Sequence, residues 1–183
     1  DYQQNVLDNL DRYLDELVEQ HTNYLKVKKL KSDNPEIEIP LPDFTDKTWT
    51  KLRDGGHLPL VRQKIPFSPR MDVIGRPVPA VSLKIPTAGG KTLLAAVSRI
   101  MGKWVQGNSG FVLWIVPNEA IYTQTRKALA NREHPYRQVL DKAAAGRVKI
   151  LEKSDALRRQ DVEDYLCVML LTSIFNEPFP IHA

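Results

Sequence analysis

In Val81-Ser82-Leu83-Lys84-Ile85-Pro86-Thr87-Ala88-Gly89-Gly90-Lys91-Thr92-Leu93-Leu94-Ala95-Ala96, an apolar strand-like run leads through a small-residue loop and Gly-Lys-Thr into a helix-forming segment. A nucleoside triphosphate needs that order. Small residues let backbone N–H groups converge on phosphate oxygens, and a helix start adds its positive dipole end. In this reading Thr87, Ala88, Gly89 and Gly90 cradle the phosphates of ATP, Lys91 reaches the β- and γ-phosphates, and the Thr92 hydroxyl holds Mg²⁺. Lys91 and Thr92 are thus the candidate catalytic pair. Ile85 stands where the strict pattern G-x-x-x-x-G-K-[ST] has its first glycine. The plain alternative is a Gly-Gly turn before an ordinary helix with a solvated lysine. The complete strand–loop–helix context favours the phosphate site.

Such a loop needs a sheet to hold it. Phe111-Val112-Leu113-Trp114-Ile115-Val116 is a continuous apolar run, as expected of a central parallel strand covered on both faces. Asn118 can cap the helix that follows. From Val78 onward the patterns predict strands at 78–85, 111–116, 147–152 and 167–173. Helices are predicted at 92–105, 118–130, 136–144 and 155–165. Alternation of this kind predicts an α/β fold, a parallel sheet with helices on both faces. Right-handed crossovers then bring the loops after the first two strands to the carboxyl edge, where ligands bind.

Ile85-Pro86-Thr87-Ala88-Gly89-Gly90-Lys91-Thr92 resembles the P-loop of superfamily-2 helicases and translocases, Ala-Pro-Thr-Gly-x-Gly-Lys-Thr. Ile85 replaces the usual Ala and Ala88 a Gly. A Cβ at a positive-φ position costs about 1–2 kcal/mol, which weakens nucleotide affinity without abolishing it. The segment Val112 to Thr125 is similar to helicase motif Ia. Gly75-Arg76-Pro77-Val78-Pro79 and His134-Pro135-Tyr136-Arg137 extend the likeness to the Res subunit of type III restriction enzymes. The P-loop is its specific part. The resemblance implies a RecA-like motor domain that hydrolyses ATP with Mg²⁺ and tracks along the backbone of duplex DNA. It implies nucleic-acid contact at Pro117, Asn118 and Glu119, and it allows a modification or specificity subunit as a partner. In such motors an N-terminal Tyr-Gln reads adenine. Tyr2-Gln3 matches it, and an amide can donate and accept at adenine's edge. A solvated glutamine in a first helical turn fits Gln3 equally well.

The rest of the chain frames that reading. Leu7, Leu10, Leu14, Leu17, His21 and Tyr24 recur at three- and four-residue spacing, one apolar stripe on a long N-terminal helix over residues 1–31. Lys26, Lys28, Lys29 and Lys31 at its end form a basic run, by default a solvated face. Residues 32–77 read as a Pro-rich connector or insertion with one short helix near 46–53, and Trp49 as the anchor holding it down. Residues 78–183 then form the nucleotide-binding domain, expected to be incomplete at its C-terminal end. The last strand ends Leu170-Leu171-Thr172-Ser173, without the Asp-Glu pair that hydrolysis requires, and Glu177 follows in the wrong context. The chain therefore reads as the front of a larger ATP hydrolase, inactive alone, that binds nucleotide without turning it over.

At 183 residues with 42% hydrophobic and 26% charged residues, the composition is that of an ordinary globular domain. A net charge of +4 permits a nucleic-acid partner without demanding one. The single Cys167 lies in an apolar run, so no disulfide framework is expected, and a cytoplasmic location and no membrane partner follow. The four histidines show no metal-ligand spacing. Two function classes remain: an ATP-driven DNA motor, or a P-loop module that binds nucleotide for regulation or assembly.

Overall fold

A computed structural model describes residues 2–83 and 90–173, with backbone alone at 90–92. The chain divides into two compact units, Asp1–Thr92 and Leu93–Ala183.

In the first unit α1 (Tyr2–Asp33) is the long helix expected from the leucine stripe, and it buries Leu7, Leu10, Leu14 and Leu17. Its partner is α2 (Phe44–Asp54). The stripe continues as aromatic contacts: the Phe44 ring lies 4.8 Å from His21 and 5.5 Å from Tyr24. Asp43 starts α2 by accepting from the backbone N–H groups of Thr45 and Asp46, at 2.9 and 3.2 Å. A short α3 (Leu60–Gln63) follows.

The strand expected at 78–85 does not form over 78–83; its last two residues lie outside the described residues. Met71 and Pro77 instead make an isolated antiparallel bridge around a tight turn. Asp72 holds this turn, accepting from the N–H groups of Ile74 and Arg76, and these bonds keep its carboxyl below the usual range. Gly75 takes the required positive φ of 77°. Within that segment Pro79 has no N–H to give a ladder, which disfavours a strand there.

The second unit is mixed α/β around a small parallel sheet. Helix α4 (Gly90–Ile100) enters it and continues as one π-helical turn, Met101–Val105. That turn closes at Gln106, which has φ 54° and donates its N–H to the Met101 carbonyl. Then come β1 (Gly110–Val116), α5 (Glu119–Ala130), α6 (Pro135–Ala143), β2 (Val148–Leu151), α7 (Arg159–Asp164) and β3 (Leu166–Thr172). The three strands lie in the order β1-β3-β2, all parallel.

One sheet face meets α4, α5 and α6. Val168, Leu170, Leu166 and Val148 join Leu94, Met101, Leu129 and Leu140 in the core, with Val112, Trp114 and Ile150 against it. Cys167 and Lys149 are paired in register and lie on the opposite face, where both bond to α7: the Cys167 thiol donates to the Asp161 carbonyl and Lys149 to the Asp161 carboxylate. Burial raises the thiol's pKa and keeps it neutral. Helices therefore cover both faces, and the face changes as the chain reverses direction across the sheet. Both crossovers thus share one hand, as the handedness rule requires.

One expectation fails in part. Strand β1 is an edge of this sheet, and Phe111, Leu113 and Ile115 remain 43, 46 and 47% exposed among the described residues. Only the face carrying Val112 and Trp114 is packed. On the other face the described residues place only α7, six residues long.

Arg137 ties the core together. It is 5% exposed, and its guanidinium donates to the Leu129 carbonyl at the end of α5, to the Val148 carbonyl on β2, and to Asp141 one turn along α6. Arg137→Ala should strip two buried carbonyls of their donors at about 1–3 kcal/mol each, lowering the midpoint of thermal unfolding by several degrees. Arg137→Lys should recover little, lacking the planar fork. An unchanged midpoint in either variant would contradict this role.

Asp161 supplies the pH dependence. Its carboxyl is held below the usual aspartate range by the Lys149 ammonium and the Arg158 N–H. A depressed folded-state pKa means stability present at neutral pH and lost as pH falls through it. Asp161→Asn should therefore destabilise at pH 7, and the gap to the parent should close on acidification below about pH 4. A gap independent of pH would show that the charge of Asp161 does not matter.

Candidate functional site

The Gly-Gly-Lys-Thr segment is described from its second glycine on. Gly90 is the first residue of α4, so Lys91 and Thr92 sit in the first turn of an 11-residue helix. A helix start leaves several N–H groups without intrahelical acceptors and carries about half a positive charge. The first turn contains no acidic residue to oppose an anion. Thr87, Ala88 and Gly89 lie outside the described residues, as do the side chains of Lys91 and Thr92. A helix start of this kind, with no acidic residue in its first turn, is a site where an anion is favoured.

The loop after β1 forms the second candidate. Pro117, Asn118 and Glu119 are all exposed. Asn118 has an extended backbone, and its side-chain oxygen accepts from the Ile121 N–H at 3.0 Å, the helix cap its sequence position suggests. With its oxygen so engaged, Asn118 offers a ligand only its amide nitrogen. Glu119 adds a negative charge to the helix start. That charge opposes an approaching phosphate.

Sequence reasoning missed the loop's fixed anchor. Ser173, just past β3, donates its N–H to the Val116 carbonyl at 2.8 Å and its hydroxyl to the Pro117 carbonyl at 3.1 Å. The end of β3 thus holds the loop after β1. Neither β1, which leads into Pro117-Asn118, nor β3, which ends at Thr172 before Ser173, is followed directly by a carboxylate, whereas β2 is followed by Glu152, which accepts from Arg126 at 2.7 Å and from the Tyr122 hydroxyl at 3.3 Å. Glu177 lies outside the described residues.

Gln3 belongs to the first unit, exposed in the first turn of α1. Among the described residues no three His, Cys, Asp or Glu side chains converge as a metal site would require, and no helix is long and apolar enough to cross a membrane. No family model, no curated protein and no solved structure matches the chain.

Proposed function

We propose that this chain is the nucleotide-binding part of an ATP-dependent DNA helicase or translocase of the type III restriction Res-subunit kind, built on a RecA-like motor domain. The observation that carries this reading is the start of α4 within Gly-Gly-Lys-Thr. The small-residue loop and the first-turn N–H groups bind the phosphates, Lys91 neutralises charge on the β- and γ-oxygens, and Thr92 positions the metal. Mg²⁺ supplies charge neutralisation between the phosphates when bound. Gln3 reads the adenine edge, and the loop Pro117–Glu119 contacts the DNA backbone.

Binding and turnover separate in this account. Phosphates are held by backbone and by one lysine, whereas hydrolysis also needs acidic residues near the metal and a cation on the developing charge, the latter worth about 10³–10⁵ in rate. Strands β1 and β3 end without an acid, and Glu152, directly after β2, is engaged by Arg126 and Tyr122, so we assign nucleotide binding rather than hydrolysis to the described residues. In a full-length motor of this kind, ATP turnover should rise with duplex DNA and disappear in Lys91→Ala. Turnover indifferent to DNA would contradict the motor and leave a regulatory nucleotide-binding module. Turnover that survives Lys91→Ala would contradict the P-loop itself.

A further inference from the structure

The first unit contains a groove of about 410 Å³ between α1, α2 and the segments that follow them. Tyr13, Trp49 and Phe67 supply its aromatic wall, Arg62 and Arg70 its charge, and Ser82 one end. The volume falls in the range of ligand sites, about 300–1,000 Å³. Trp49 and Phe67 meet at 6.0 Å between ring centroids with planes at 46°, so they form an angled platform rather than a filled stack. The Arg53 guanidinium lies over the Trp49 ring, 5.0 Å from its centre, while its own charge is met by Asp54 at 2.9 Å. Burial raises the pKa of the Tyr13 hydroxyl, leaving it a neutral donor.

The charge is one-sided. Among the described residues that line the groove there is no carboxylate, and Arg62 and Arg70 are exposed. Neither arginine has an ion-pair partner among the described residues. Three aromatic side chains with two uncompensated guanidinium groups on the rim suit planar heterocycles joined by phosphates. A connector that only covered apolar surface would not need the arginines.

We propose that this groove binds a segment of single-stranded nucleic acid, with a base seated on Trp49 and Phe67 and the flanking phosphates on Arg62 and Arg70. A duplex keeps its base faces stacked and cannot use the platform. A free triphosphate calls for converging backbone N–H groups, whereas both cations here are exposed side chains, suited to the spaced single charges of a strand. This site lies outside the nucleotide and backbone-tracking roles proposed above and does not depend on them.

The test uses residues 1–183 and a fluorescent oligothymidine of about 12 nucleotides, a length within the span of known single-strand sites, in low salt without nucleotide or Mg²⁺. The strand should bind and quench tryptophan fluorescence, and unlabelled duplex of equal length should compete poorly. Trp49→Ala or Phe67→Ala should weaken binding about tenfold, and Phe67→Tyr should preserve it. The pair Arg62→Ala/Arg70→Ala, both exposed, should weaken binding and lower the salt slope by about 1.4, two phosphates at roughly 0.7 each. Failure of the strand to bind would overturn the proposal. So would arginine variants with parental affinity and slope, which would place strand binding elsewhere on the chain. A mononucleotide that quenches Trp49 as well as the strand does would make the groove a nucleotide pocket and also overturn it.

Discussion

Strand β3 is the last of the described strands in sequence and the middle one in space. β1 and β2 do not bond to each other; each bonds only to β3. The sheet therefore cannot exist without the final described segment, which joins its two edges. Parallel pairing on both edges imposes the rest, because each strand must return over a face of the sheet before the next can run the same way. Helices α5 and α6 use one face and α7 the other. The sequence of β3, Leu166-Cys167-Val168-Met169-Leu170-Leu171, is what such a place demands: every residue apolar, with all but Met169 buried.

The same constraint places the candidate contacts. Because β3 ends beside β1, Ser173 can hold the Val116 and Pro117 carbonyls, and the loop Pro117–Glu119 leaves the sheet from a fixed point. Asn118 then spends its side-chain oxygen on the helix cap. In the proposed function this rigidity suits contact with a uniform backbone, where orientation matters more than adaptable side chains. The π-helical turn after α4 serves a related end. It closes on Gln106 in the left-handed region, which stops the helix four residues before β1 begins.

Much of the second unit was legible in the sequence. Apolar runs of strand length and helical spacing place β1, β2 and β3 within one or two residues, and Asn118 marks the start of α5 by its capping chemistry. Propensity could not show that β1 is an edge among the described strands, because a run apolar on both faces reads the same whether or not a roof is present. The strand expected at 78–85 does not form over 78–83: the apolar pattern is strand-like, but Pro79 within it cannot donate to a ladder. Arg137 gave no signal at all: an arginine on an amphipathic helix is ordinarily solvated, and its burial depends on two carbonyls 8 and 11 residues away. The place of Trp49 in a groove with Tyr13, Phe67 and two arginines was not legible, since those residues converge only through the packing of α1 on α2 and the course of the segment after them. The candidate nucleotide site shows the opposite balance, with its residue types fully readable and its loop, Thr87–Gly89, outside the described residues.

The central claim is that Gly-Gly-Lys-Thr at the start of α4 binds a triphosphate. Calorimetric titration of residues 1–183 with ATP·Mg²⁺ tests it most directly, beside Lys91→Ala of equal thermal stability. The account predicts saturable binding that weakens about tenfold to a hundredfold without the lysine, the worth of a charge-assisted hydrogen bond of about 1.5–3 kcal/mol. Equal affinity in the two proteins, or no binding to either, would contradict it.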